Sequence, residues 1–186
     1  MITGAVGATT AAELALGDVA PEFHGLKGVD GKAYSLASFE QEPILVLVFV
    51  GNGCPSVKAY GGEFNRIHDE YGPQGVQLVA VNANNPHLSP PDTFDRMVEV
   101  AEERGWLFPY VKDEGARLAR ACGAITTPHA FVFDKQRRLR YRGRLTDSRD
   151  PARATSHDLT NAVDDLISGR PVAVAESQSI GCSIVW

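Results

Sequence analysis

The sequence predicts an α/β fold: a mixed central sheet with helices on both faces and a β-hairpin near the amino end. Three observations predict it. "ILVLVFV" (44–50) and "VQLVAV" (76–81) are short unbroken apolar runs, the first rich in β-branched residues, as strands buried on both faces require. Between them Val57, Tyr60, Phe64, Ile67 and Tyr71 recur at spacings of three and four, the apolar stripe of one helix over about 56–71. Along the chain strands alternate with helices, and a terminal hairpin and helix follow, the order of a two-faced α/β sandwich.

Taken in order, "KAYSLASF" (32–39) follows the turn signal Asp30-Gly31 and reads as one arm of a hairpin. The run 44–50 is the first core strand. The helix 56–71 ends at Gly72-Pro73, and 76–81 is the second core strand. "NANNPHLSPPD" is a long loop. Ser89 can cap, and Pro90-Pro91 can open, a helix with the stripe Phe94, Met97, Val98 and Ala101, which Gly105 stops. "WLFPYV" (106–111) suits a short strand and "DEGARLARA" a short helix. "AFVFD" (130–134) and "RLRYRGR" (138–144) pair across Lys135–Arg137. A last helix spans about Ser156 to Ile167, with Leu159, Val163, Leu166 and Ile167 inward, and Gly169-Arg170-Pro171 closes it. Residues 1–16 form an N-terminal arm, 17–170 the domain, and 171–186 a C-terminal tail.

At 186 residues the chain can bury a sizeable single core. A net charge of −5 argues against nucleic acid or an anionic membrane as partner. The first 18 residues carry no Lys or Arg, and Glu13 interrupts the one apolar candidate, so a secretory signal is not expected. No apolar run approaches the roughly 20 residues of a membrane span. A cytoplasmic location follows as the expectation. There the three cysteines, Cys54, Cys122 and Cys182, would be kept reduced. The five histidines show no metal-ligand spacing, so no metal site or cofactor is expected.

Cys54 stands between the first core strand and the following helix. The free N–H groups and partial positive charge of a first helical turn favour a thiolate there. Gly51 and Gly53 permit a tight turn, and Pro55 fits the first helical position. The strand end opens on the crevice where open α/β sheets hold ligands. The alternative is a small apolar residue filling space. "TTPHAFVFD" (126–134) is the second signal. Pro128, just before a core strand, suits a cis turn that leaves the Thr127 backbone free to pair with an extended substrate. A plain trans turn is the other reading.

Together these segments resemble the thioredoxin-like superfamily, closest to its redoxin branch, which includes the alkyl hydroperoxide reductase/thiol-specific antioxidant proteins. "GDVAPEFHGLKGVDGKAYSLASF" is similar to that branch's amino-terminal hairpin. "LVFVGNGCPSVKAY" is similar to its nucleophile segment, and "GAITTPHAFVFDKQRRLRYRGR" to its cis-proline strand and partner. The ending "IGCSIVW" resembles that of a bacterial group of thioredoxin-like proteins. The resemblance covers about residues 17–186 and implies a thiol-dependent redox protein with Cys54 as nucleophile. Thr127, Pro128, Asn52, Gly53 and His129 would line the substrate.

Departures from the family pattern are specific. The C-x-x-C of thioredoxins is absent, because Val57 stands at the second position. Val48 replaces their buried acid. The peroxiredoxin pattern P-x-x-x-T/S-x-x-C lacks its Pro and Thr, and Lys58 stands where copper-delivering relatives have a second cysteine. Cys182 in the tail is the resolving candidate and Cys122 the packed one. Lys58 could support a thiolate. Arg138, Arg140, Arg142 and Arg144 share one strand face, read as solvated, with Arg144 a candidate for an anionic or peroxide substrate. The expected function is a thiol-disulfide oxidoreductase acting on a disulfide, served by an external thiol reductant or partner protein. A thiol peroxidase acting on peroxide, and a non-catalytic protein whose crevice binds a peptide, are the alternatives.

Overall fold

The computed structural model describes residues 14–186; the arm expected at the amino end falls, through residue 13, outside the described residues. The hairpin is β1 (Leu26–Gly28) and β2 (Ala33–Tyr34), turning at Asp30-Gly31. Residues 36–39, expected to extend its second arm, form a 3-10 turn that buries Leu36 and Phe39.

β3 (Ile44–Phe49) leads into α1 (Pro55–Ala59) and α2 (Gly61–Tyr71). The single helix expected over 56–71 is thus divided at Tyr60 (φ −87°, ψ 2°). Two causes coincide there. Gly61-Gly62 follows, weak in helix propensity, and the Tyr60 hydroxyl is held by Thr146 and the Ser148 carbonyl. Then come β4 (Val76–Asn82), α3 (Phe94–Arg104), β5 (Tyr110–Lys112) and α4 (Arg117–Cys122). α3 is capped by Thr93, whose hydroxyl accepts from Arg96 N–H, and not by Ser89. Pro90-Pro91 instead open a separate 3-10 turn. Val100 takes the core position expected for Val98, which is half-buried. β6 (Thr126–Thr127), β7 (His129–Phe133), β8 (Leu139–Gly143), α5 (Asp158–Ile167) and β9 (Cys182–Ser183) complete the chain. Ile167, expected inward, is exposed, and Ala162 packs in its stead.

Seven strands form one sheet in the order β2-β1-β5-β4-β3-β7-β8. β3, β4 and β5 run parallel, while β7, β8 and the hairpin are antiparallel to their neighbours. The two-residue period of a strand decides the packing. Val46, Val48 and Val50 face one core with Val57, Phe64, Ile67, Met97, Leu159 and Val163. Leu45, Leu47 and Phe49 face the other with Phe39, Leu118, Cys122, Phe131 and Phe133. An unbroken apolar β3 is the consequence of helices on one face and α4 with the amino-terminal segment on the other.

The outer edge of β8 is covered twice. Leu139 N–H bonds Asp18, and Arg142 N–H bonds Ala175 of the tail. All four arginines of 138–144 are partnered; Arg138 and Arg140 stay exposed, as expected of a solvated face, while Arg142 and Arg144 are half-buried. Arg138 donates to the Gly17 carbonyl, and Arg140, Arg142 and Arg144 pair with Asp134, Glu176 and Asp158. The tail passes Gly143, where a Cβ would stand 2.2 Å from Ser177 Oγ, and then crosses to β6. Among the described residues no helix is long and apolar enough to cross a membrane.

Candidate active site

β3 delivers Cys54 to the carboxyl edge of the parallel strands. The strand ends with Val50 N–H on the Val81 carbonyl, and the chain turns through Gly51-Asn52-Gly53, closed by Cys54 N–H on the Gly51 carbonyl. Cys54 is extended (φ −71°, ψ 120°) and caps α1, with Pro55 at the first helical position. Gly51 is required here for a steric reason. A Cβ on it would lie 2.7 Å from Asn84 Nδ2.

Two further segments meet the sulfur. The Thr127–Pro128 peptide is cis, and Cys54 Sγ lies 2.9 Å from the Thr127 carbonyl oxygen. The tail strand β9 then pairs antiparallel with β6, Cys182 opposite Thr127. This sets Cys182 Sγ 2.9 Å from Cys54 Sγ, across 128 residues of chain. Gly181 makes the approach possible, since any Cβ there would meet the Thr127 carbonyl oxygen at 2.0 Å. Ile184 N–H bonds the Ile125 carbonyl, Val185 is held by Asn84 and Asn85, and Trp186 lies over the Arg120 guanidinium. Burial of Ile184 alone contributes roughly 1.5–3 kcal/mol to holding the tail.

The electrostatics divide the two thiols. Burial pushes the Cys54 thiol up, but hydrogen bonds from Cys182, from Thr127 and from the Val57 N–H outweigh it, and the thiol sits below its ordinary value. The Thr127 hydroxyl is buried and has no hydrogen-bond partner; the sulfur contact is to the Thr127 carbonyl. Cys182 moves the opposite way, to about 11, through burial, its bond to Cys54 and the neighbouring negative charge, with Arg149 opposing. The opposite shifts make Cys54 the more acidic thiol of the pair. Cys54 is 5% exposed, whereas Cys182 is half-buried and lines a cavity of about 190 Å³ with Pro55, Ser56, Arg149 and Asp150.

The remaining expected site residues are placed as follows. Gly53 is exposed and lines a recess with Lys58 and Arg104 beside the loop. Asn52 is turned inward, its Nδ2 on the Pro91 carbonyl and its Oδ1 accepting from Tyr110 OH, so it builds the loop and its side chain does not face the crevice. His129 does not serve as a cation for Cys54. Its Nδ1 accepts from Ile125 N–H, its ring packs on Phe131, and burial holds it neutral down to about pH 4. Arg144 is committed to Asp158. Cys122 is fully buried in the opposite core, where burial drives its thiol well above the ordinary range. No group of His, Cys, Asp and Glu suited to a metal occurs among the described residues.

A polar cluster behind the loop has no counterpart in the sequence reading. Asp92, Asn82, Asn84, Tyr110 and Lys112 are all buried and mutually hydrogen-bonded. The sole signal was the concentration of amides and a carboxylate in "NANNPHLSPPD", directly after an apolar strand.

Residues 16–142 match the model of the AhpC/TSA family. The thiol-disulfide oxidoreductase ResA of Geobacillus thermodenitrificans is 28% identical over 127 residues, 68% of either chain. That of Halalkalibacterium halodurans is 30% identical over 110 residues, 59% of this chain and 58% of the relative. Among solved structures, an uncharacterized conserved protein from Geobacillus kaustophilus superposes with a TM-score of 0.87 at 39% identity, covering 93% of both chains. A hypothetical protein from Sinorhizobium meliloti gives 0.87 at 34%, over 94% of this chain and 96% of the other. A thiol:disulfide interchange protein of the thioredoxin family from Chlorobium tepidum, 22% identical, shares the fold at a TM-score of 0.57 over 69% of this chain and 86% of the other.

Proposed function

The chain belongs to the AhpC/TSA family, and from that premise we propose that it is a thiol-disulfide oxidoreductase using Cys54 as nucleophile and Cys182 as resolving thiol. The observation that carries the reading is the 2.9 Å separation of the two sulfurs, reached because the tail pairs with the cis-proline segment.

The cycle follows from the thiol chemistry. Cys54 thiolate attacks one sulfur of a substrate disulfide, forming a mixed disulfide and expelling one substrate thiolate, which takes a proton. Cys182 then loses its proton and attacks the Cys54 sulfur. The Cys54–Cys182 bond forms and the second substrate thiolate leaves. Two electrons have passed from the protein to the substrate, and an external dithiol or two monothiols return them. Because Cys54 is 5% exposed and β9 occupies the Thr127 edge, a protein substrate reaches the sulfur when the tail lifts. The vacated Thr127 backbone can then pair with the substrate strand.

A peroxide substrate has less support. The Pro and Thr of the peroxidase pattern are absent, and the one arginine assigned to it, Arg144, is bound to Asp158. A purely peptide-binding role leaves the paired thiols without a purpose. The reading assigns the cycle to the cytoplasm, where free cysteines are kept reduced; cell fractionation tests that assignment.

The test is reduction of insulin disulfides by the protein with a small dithiol as electron source. The parent should reduce them, Cys54→Ser should not, and Cys182→Ser should accumulate a substrate-linked mixed disulfide on Cys54. Equal activity in the parent and Cys54→Ser would reject the proposal.

A further inference from the structure

We infer that Asp92 is a positioning residue that seats both cysteines at once, through the Cys54 loop on one side and the tail on the other. The role in catalysis rests on the dithiol reading above; the geometry does not. Asp92 is 1% exposed. Its Oδ1 accepts from Asn52 N–H at 2.6 Å and Asn82 Nδ2 at 2.7 Å, and its Oδ2 from Asn84 Nδ2 at 2.9 Å and Ser89 Oγ at 2.6 Å. Four donors from four residues converge on one buried side chain.

Two of those donors lead to the two cysteines. Asn52 lies two residues before Cys54, and its N–H is fixed by the carboxylate. Asn84 leads to the tail. A carboxylate accepts and does not donate, so Asn84 must present its NH₂ to Asp92, which leaves its carbonyl oxygen facing outward. That oxygen accepts Val185 N–H at 2.9 Å, three residues after Cys182. The amide orientation at the tail is thus dictated by Asp92. Gly51 is the space that lets Asn84 stand between them. Lys112 closes the cluster from behind, its Nζ on the carbonyls of Asn84 and Asp92 and on Asn82 Oδ1. The nucleophile and its resolving partner come from opposite ends of the chain, and this carboxylate is a shared anchor for both.

Asp92→Asn keeps the shape and removes the property. An amide offers one acceptor oxygen and a donor in place of the second, so either the Asn52 side or the Asn84 side loses its acceptor. Asn84→Ala removes the tail side alone. Two measurements on the folded parent and variants decide the matter. The first is hydrogen exchange of the Asn52 and Val185 amides in the reduced protein. Asp92→Asn should raise exchange at one or both, and Asn84→Ala at Val185 only. The second is the equilibrium of the Cys54–Cys182 disulfide with glutathione. Asp92→Asn should lower its formation constant roughly tenfold or more, as loss of a hydrogen bond to a charged group implies, and Asn84→Ala by about three- to tenfold.

Conversely, a lower melting temperature with parental exchange at both amides and a parental glutathione constant would make Asp92 a loop staple only and overturn the inference. Should Asp92→Asn fail to fold, Asn84→Ala stands alone, and unchanged Val185 protection overturns it equally. If the parent itself forms no Cys54–Cys182 disulfide, the functional reading falls, and amide exchange still decides the role of Asp92.

Discussion

Cys54 and Cys122 lie on opposite faces of one sheet, 5% and 0% exposed, and their thiols are driven in opposite directions. Burial acts on both and raises both. Cys122 meets apolar neighbours and the distant negative charge of Asp113, so nothing opposes the rise. Cys54 meets a second thiol, Thr127 and the Val57 N–H, and these reverse it. The direction of each thiol's shift is therefore set by the donors around it as well as by its burial.

The largest expected effect separates the two directly. Cys54→Ser should bring disulfide reduction to background, while Cys122→Ala leaves the rate per folded molecule unchanged. A loss of turnover with Cys122→Ala and an intact Cys54 would break the comparison. Next in size is Gly181→Ala, which drives a methyl group into the Thr127 carbonyl. The tail should unseat, and disulfide closure between Cys54 and Cys182 should slow by on the order of tenfold or more, read by quenched alkylation and mass.

His129 sharpens the point with a basic group, for which burial acts in the opposite sense. Its value falls from 6.5 to about 4 because burial disfavours the charged ring. A base depressed in the folded state favours folding above its unfolded value and loses that advantage as pH drops. Stability should therefore decline between about pH 6.5 and 4, by up to roughly 3 kcal/mol. Denaturant melts of the parent and His129→Asn across that range measure it, and the variant should give the flatter profile. The smallest expected effect is on Cys54 itself. Removing the donor in Cys182→Ala should move the pH midpoint of Cys54 alkylation upward, toward the free-thiol value of about 8.5.

The same contrast explains what could be read from the sequence. β3 and β4 were legible because two-faced burial leaves an unbroken apolar run, and α2 because its inward face repeats at three and four. Cys54 was legible from its place between a core strand and a helix. The break at Tyr60 was only half visible: Gly61-Gly62 is local, but the hold on the Tyr60 hydroxyl comes from Thr146 and Ser148, 86 and 88 residues away. Cys182 was named from the likeness of its tail to a family ending, and no local pattern could have put it opposite Thr127. Its register depends on Gly181 clearing a carbonyl and on Asn84 and Asn85 receiving Val185. The inward turn of Asn52 and the cluster around Asp92 were hidden for a related reason. Amides and a carboxylate in a loop look solvated until the partners that bury them are known. Of the arginines of 138–144, Arg138 and Arg140 are exposed as expected, while Arg142 and Arg144 are half-buried against Glu176 and Asp158, carboxylates that no local pattern announces.

The two sulfurs, 2.9 Å apart, should act as one working redox pair. Gentle oxidation of the reduced protein, digestion without reductant and weighing of the peptides tests it most directly. A Cys54–Cys182 linked peptide that forms stoichiometrically, is absent from Cys182→Ser and persists in Cys122→Ala is the predicted result. Cys54 recovered free, capped by a small thiol or joined to Cys122, with Cys182 unmodified, would contradict it.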